Sequence, residues 1–137
     1  MKYVDASAIL RVLLKRRGPS VPLVAGEAVV SSQLVEVETY RAVDRERLIG
    51  NLDDAATARK RHELGELLSR VDLIAVSAEV IDEAKSSFAV NLRAIDAIHV
   101  ATAVLITRES SEPLEFWTHD DRQATAALSR GLAVRGV

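Results

Sequence analysis

Hydrophobic and polar positions follow two alternating patterns along this chain. Short β-branched or aromatic runs predict strands at "KYV", "AVVSS", "LIAV", "LEFWT" and "LAV". Longer segments with apolar residues at helical spacing predict helices at "DASAILRVLLKRRG", "QLVEVETYRAVDRER", "DDAATARKRHELGELLSRV", "AEVIDEAKSS", the stretch around Asp96 and "DDRQATAALSRG". Strands that alternate with helices are typical of βαβ units, so the predicted fold class is α/β with a central, mainly parallel sheet of four to five strands.

Capping residues refine the ends of these helices. Asp5 or Ser7 is expected near the start of the first helix, and Gly18 followed by Pro19 is expected to end it. Ser32 is a candidate cap for the second helix.

Composition limits the class of protein. With 137 residues, 48% of them apolar and 28% charged, the sequence predicts one globular domain spanning residues 1–137. Its apolar runs are too short to cross a bilayer and its first residues lack a signal-peptide pattern, so we expect a cytoplasmic protein with no membrane contact. The absence of cysteine excludes disulfides and thiolate-bound zinc. A net charge of −2 means that a nucleic acid would have to bind at local basic patches.

Acidic residues fall where parallel sheets bind ligands. Asp5 follows the first predicted strand, Asp120 and Asp121 follow the fourth, and Asp96 opens a helix. Ligands of open parallel sheets bind beyond the carboxyl ends of the strands, at the point where the strand order reverses. Helix capping alone also explains an Asp at these strand ends, whereas the apolar flanks of Asp96 indicate a partly buried carboxylate that needs a partner, a metal ion or a proton.

Two glutamates early in the second predicted helix, Glu36 and Glu38, are candidates to reach the same edge. Residues two apart on a helix point to different sides, so at most one of Glu36 and Glu38 should face the site. Carboxylates that converge repel one another unless a divalent cation neutralises them, and oxygen-only ligands suit Mg²⁺ or Mn²⁺.

The joint pattern is more specific than its parts. In order, "VDASAIL", "SSQLVEVETYRA", "LRAIDAIHVATA" and "FWTHDDRQATAA" resemble the motifs of the PIN domain, in particular those of the VapC ribonuclease toxins of bacterial toxin–antitoxin pairs. The resemblance covers nearly the whole chain and implies a three-layer α/β/α fold.

The resemblance also implies a set of site residues. The four acidic positions are Asp5, Glu38, Asp96 and Asp120, which would hold Mg²⁺, with Mn²⁺ as a possible substitute. "ExxRA" fits the family better from Glu38 than from Glu36, and Asp121 is expected to be a cap. The residues expected to contact substrate are Ser7, Thr118, Arg41 and Arg93. His99 is expected to be a core histidine with its hydrogen bonds satisfied, although it could orient the site.

By the same resemblance the activity is metal-dependent cleavage of RNA phosphodiester bonds, with a 5′-phosphate on the product. The implied partners are a VapB-type antitoxin whose tail lies across the acidic pocket, and a second copy in a homodimer. One alternative is a housekeeping or inactive PIN-fold module that binds RNA. Another is a phospho-accepting receiver domain, which needs a late lysine after the last strands, whereas Lys85 is the last lysine here.

Overall fold

Five short strands form one parallel sheet in the computed structural model, which describes residues 1–137. The strands are β1 (Lys2–Val4), β2 (Val29–Ser32), β3 (Asp72–Ile74), β4 (Glu115–Trp117) and β5 (Ala133–Arg135). The helices are α1 (Ala6–Leu13), α2 (Leu34–Leu48), α3 (Asp54–Leu68), α4 (Ala78–Ala84), α5 (Ala94–Glu109) and α6 (Asp121–Ser129). The predicted α/β class, the mainly parallel sheet and its strand number are confirmed.

The strand order places a ligand crevice at the centre of the sheet. The order is β3-β2-β1-β4-β5, with β1 paired in parallel register to β2 on one side and β4 on the other. The chain therefore winds first to one side of β1 and then to the other, and the reversal point lies between β1 and β4. A receiver domain has the order 2-1-3-4-5, so the receiver alternative does not fit this topology.

Alternating side chains of the central strands build a core on each face of the sheet. Val4 packs with α1, α2 and α3 on one face, and Tyr3 packs with α5 and α6 on the other. Helix α4 packs against α5. The result is the expected three-layer α/β/α arrangement. None of the helices combines the length and the apolar character needed to span a bilayer.

Short polar side chains begin four of the helices. Asp5, Asp53, Ser77 and Asp120 each accept a hydrogen bond from a backbone N–H near the start of the helix that follows. Gln33 takes the N-cap position of α2 without a side-chain hydrogen bond, while the predicted cap Ser32, still paired in β2, accepts the Leu34 N–H on its Oγ at 3.3 Å. The prediction that Asp121 is a cap was wrong. Asp120, not Asp121, caps α6, because its extended backbone precedes the first helical residue and its Oδ1 accepts from Arg122 and Gln123 N–H.

Helix α1 ends five residues before the predicted stop at Gly18. Lys15 adopts a left-handed backbone with φ of 50°. The N–H groups of Arg16 and Lys15 turn back to the carbonyls of Arg11 and Val12, at 3.1 and 3.3 Å. These bonds satisfy the last carbonyls of the helix, so α1 closes without a glycine.

This strained closure predicts that Lys15→Gly stabilises the protein. A left-handed residue with a Cβ costs ~1–2 kcal/mol, and the extra freedom that glycine gives the unfolded chain takes back ~0.4–1 kcal/mol. We expect the free energy of unfolding to rise by ~0.5–1 kcal/mol in Lys15→Gly and to fall in the β-branched control Lys15→Val. Urea denaturation measures both, and equal stabilities would contradict the assigned backbone conformation.

Candidate active site

One pocket collects the predicted acids at the carboxyl edge of the sheet. Its volume is about 640 Å³, and it lies at the reversal point between β1 and β4. The predicted residues that line it are Asp5, Ser7, Glu38, Arg41, Arg93, Asp96 and Asp120. Thr118 is fully buried behind Asp5, so its position does not fit the expected contact with substrate.

Asp5 is the most buried of these acids. Its side chain caps α1 by accepting the Ala8 N–H at 2.8 Å, and it accepts hydroxyl protons from Ser7 at 2.7 Å and from Thr118 at 2.7 Å. No lysine or arginine forms an ion pair with Asp5. Burial raises the pKa of Asp5 above its usual range, and the hydrogen bonds from Ser7, Thr118 and the Ala8 N–H oppose this rise. Asp5 is thus a buried carboxyl group held by hydrogen bonds, with no cationic side chain paired to it.

Glu38 is held from the opposite face of the sheet. Its Oε2 lies 2.7 Å from Nε2 of His99, a fully buried residue of α5. The other ring nitrogen of His99 lies 2.8 Å from the Tyr3 hydroxyl. Burial raises the pKa of Tyr3 above its usual range, so the phenol stays protonated. His99 is therefore satisfied in the core, as expected, and it also contacts the site.

Glu36 and Glu38 of α2 lie in different environments. The Glu38 side chain is 22% exposed and lines the pocket, whereas Glu36 is exposed outside it. The helix thus presents Glu38 and turns Glu36 to solvent, which is the arrangement that the "ExxRA" spacing favours.

Asp96 and Asp120 enter the pocket from the starts of α5 and α6. The Asp96 side chain, 13% exposed, accepts from the guanidinium of Arg93 at 2.8 and 3.3 Å. The partial burial predicted from its apolar flanks is confirmed. Oδ1 of Asp120 accepts the N–H bonds that cap α6, and Oδ2 of Asp120 has no protein partner.

The carboxylate oxygens that line the pocket are the ligands that a hard divalent cation prefers, but their side chains are not arranged around a common point. Asp5 is buried without a cationic partner, and Asp120 has a free carboxylate oxygen. No three of the acidic or histidine side chains lie close enough to share an ion as they stand. Arg93 contacts both carboxylate oxygens of Asp96, so binding an ion there would require this side chain to turn from its partner, whereas Glu38 contacts His99 through Oε2 alone.

Sequence reasoning missed three residues of this site. Arg45 lines the pocket with Arg41, and neither arginine forms an ion pair. Its signal was present, since it lies four residues after Arg41 on the Glu38 stripe of α2. Arg16 and Gln123 also line the pocket, and Oε1 of Gln123 lies 2.9 Å from the Thr118 hydroxyl.

Comparison with known proteins agrees with this geometry. The PIN domain family pattern matches residues 2–128. The protein named Ribonuclease VapC46 of Mycobacterium tuberculosis is 33% identical over 144 aligned positions, which cover 96% of this chain and 94% of that protein. Ribonuclease VapC47 of the same species is 32% identical, covering 89% of this chain and 86% of that protein. The chain therefore belongs to the PIN domain family, and its curated relatives are VapC ribonucleases.

Solved structures support the fold independently. The structure described as VapBC2 from Rickettsia felis bound to a DNA fragment from their promoter aligns with a TM-score of 0.66 at 14% identity, covering 98% of both chains. PAE2754 from Pyrobaculum aerophilum aligns with a TM-score of 0.56 at 20% identity, covering 97% of this chain and 82% of that one. At these identities the likeness concerns the fold alone.

The burial of Asp5 predicts a pH-dependent stability difference for Asp5→Asn in metal-free protein. The pKa of Asp5 is higher in the folded protein than in the unfolded chain, so folding favours the protonated carboxyl group. Its contribution to stability is fully present below the unfolded pKa and is lost as the pH rises through the folded pKa. Asparagine never ionises, and Thr118 can turn its proton to Gln123 to accommodate the new amide. We expect Asp5→Asn to melt several degrees above the wild type at neutral pH and level with it near pH 4. A difference that does not change with pH would contradict the burial argument.

Proposed function

We propose that this protein is the toxin of a VapBC-type pair and cleaves RNA in a metal-dependent reaction. The observation that carries the proposal is the pocket, which is lined by Asp5, Glu38, Asp96 and Asp120 and also by Arg41 and Arg45, two arginines that form no ion pair. A cluster of carboxylates attracts a cation, and a basic rim attracts the phosphates of a nucleic acid. The names of its VapC ribonuclease relatives support the same activity.

The four acids would hold Mg²⁺, or Mn²⁺ in its place. When bound, such an ion supplies an activated water for in-line attack on the phosphodiester and neutralises the charge that develops. Ser7 and Thr118 fix the Asp5 carboxylate through their hydroxyls, and His99 fixes Glu38. Arg41 and Arg93 lie at the pocket mouth, where their guanidinium groups can pair with phosphate oxygens.

Amide substitutions at the acids test this assignment. We expect Asp5→Asn, Glu38→Gln, Asp96→Asn and Asp120→Asn each to lower the rate of RNA cleavage by at least ~100-fold, because each removes one group that stabilises charge in the reaction. EDTA should abolish cleavage, and Mg²⁺ should restore it. The rate is measured on labelled RNA at saturating Mg²⁺.

Glu36→Gln is the matched control, because Glu36 is an exposed acid two residues from Glu38 on the same helix. It should keep nearly all of the wild-type rate. Cleavage that persists in EDTA, or that survives Asp96→Asn, would refute the metal mechanism. Loss of cleavage in Glu36→Gln with retention in Glu38→Gln would move the site to the other face of α2.

We also propose that an antitoxin controls this pocket. Carboxylates at its base would attract an arginine, whose fork pairs with them in competition with the metal and the RNA. Val37 and Ile95 line the same pocket and are 63% and 43% exposed, so the pocket also offers apolar contacts to a peptide. The Rickettsia felis structure described as VapBC2 supports a partner of this kind. A homodimer is part of the same proposal.

Expression of the chain alone should test the toxin assignment. We expect growth arrest from the wild type in a bacterial host and none from Asp5→Asn, because arrest requires the reaction. Coexpression with the small protein encoded beside it should restore growth and yield a complex that survives high salt if apolar contacts dominate. The molecular mass of the protein in solution should be that of the proposed homodimer.

A chain that is harmless alone and binds no neighbour-encoded protein, yet cleaves RNA with Mg²⁺, would be a housekeeping PIN nuclease. A chain that binds RNA without cleaving it under any metal would be the inactive module. Each result refutes the toxin assignment in a different way.

A further inference from the structure

Behind the pocket, a chain of three hydrogen bonds connects β2 to α2 through the core. The Ser32 N–H donates to the Tyr3 hydroxyl oxygen at 3.0 Å. The same hydroxyl lies 2.8 Å from Nδ1 of His99, and Nε2 of His99 lies 2.7 Å from Oε2 of Glu38. Four elements of the fold, β2, β1, α5 and α2, thus meet in one polar path that ends at a pocket carboxylate.

The donors and acceptors fix the direction of this path. A backbone N–H can only donate, so the Tyr3 oxygen accepts from Ser32. A carboxylate can only accept, so Nε2 of His99 donates to Glu38, and Nδ1 of a neutral imidazole then accepts the Tyr3 hydroxyl proton. The carboxylate receives a donated hydrogen bond on Oε2, whereas no protein donor contacts Oε1.

Packing holds the two rings in place. Tyr3 is stacked on Phe116 with ring centroids 5.2 Å apart and planes 7° apart, and it meets the edge of His99 at 5.8 Å and 81°. Tyr3 is 0% exposed and His99 is 1% exposed. Neither ring can turn without opening the core on that face of the sheet.

Filling of the core does not by itself require these polar atoms. Apolar side chains of similar shape can replace a buried hydrogen-bonded pair at nearly no cost in stability, because both partners then disappear together. The polar path has an effect that an apolar pair would lack: it restrains a flexible glutamate on an otherwise open pocket wall.

We propose that His99, oriented by Tyr3, is the positioning residue of the site, donating Nε2–H to Oε2 of Glu38 so that Oε1 faces the pocket as a metal ligand. This inference rests on the proposed function, since it assigns Glu38 a ligand to hold. It adds two core residues to the machinery. They act through Glu38 and do not touch the substrate.

Mn²⁺ binding to RNA-free protein, followed by titration calorimetry, tests the donor role. Removal of a partner that orients a metal ligand typically costs ~10–100-fold in affinity, and we expect a loss of that size in His99→Leu. His99→Gln keeps an N–H near the position of Nε2 and should recover most of the affinity. In a Glu38→Gln background, His99→Leu should cause no further loss, because the two residues act as one unit.

Tyr3→Phe is the milder variant, because it removes a single oxygen from a stacked ring. We expect it to weaken Mn²⁺ binding by less than His99→Leu does. Long-range ¹H–¹⁵N spectra of metal-free protein should show His99 as the Nε2–H form in the wild type and as a mixture of tautomers in Tyr3→Phe. Thermal melts verify that each variant is folded, and Tyr3→Phe decides the question if His99→Leu is not.

Three results would overturn the inference. They are wild-type Mn²⁺ affinity in both His99→Leu and Tyr3→Phe, equal losses in His99→Gln and His99→Leu, or a wild-type His99 that carries its proton on Nδ1. If one of these results is found while the wild type still binds Mn²⁺ and cleaves RNA, only the positioning role of His99 is refuted. A wild type that binds no Mn²⁺ refutes the proposed function and this inference with it.

Discussion

The arrangement of the site depends on one constraint, the burial of the Asp5 carboxylate at the point where the sheet reverses its strand order. A carboxylate taken out of water needs hydrogen bonds or a cation, and its cost without them is several kcal/mol. The protein supplies the dipoles from three places: the start of α1, the Ser7 hydroxyl and the Thr118 hydroxyl that follows β4. Strand β4 lies beside β1, and this pairing brings Thr118 to Asp5.

The surrounding charges divide into a buried acidic floor and a basic rim. Asp5 and Glu38 are fixed by hydrogen-bond partners from inside the fold, while Arg41, Arg45 and Arg93 line the same pocket. A cation that enters meets carboxylates whose repulsion it relieves, and a polyanion meets the guanidinium groups of Arg41 and Arg45, which form no ion pair. With a net charge of only −2, the molecule achieves this separation locally and without a strong overall field.

Much of this organisation could be predicted from the sequence because it depends on local patterns. The alternation of apolar runs gave the class of fold, and the acids that follow strands gave the edge where the site lies. What could not be predicted depends on contacts distant in sequence. The bond from His99 to Glu38 spans 61 positions, and that from Thr118 to Asp5 spans 113. The end of α1 was missed for a different reason. The left-handed residue that follows a helix is usually a glycine, but here it is Lys15.

The contacts that restrain Glu38 and Asp96 differ in strength, so the two carboxylates differ in how readily they can move to bind a ligand. Glu38 is held by a donor that is 1% exposed, whereas Asp96 is held by an Arg93 side chain that is 81% exposed. An exposed ion pair of this kind contributes only ~0.2–1 kcal/mol, because water screens it and the long side chain loses freedom. Asp96 can therefore exchange Arg93 for a ligand at little cost, which frees the guanidinium to meet a phosphate. The site thus combines a rigid half, set by the core, with a half that a ligand can complete.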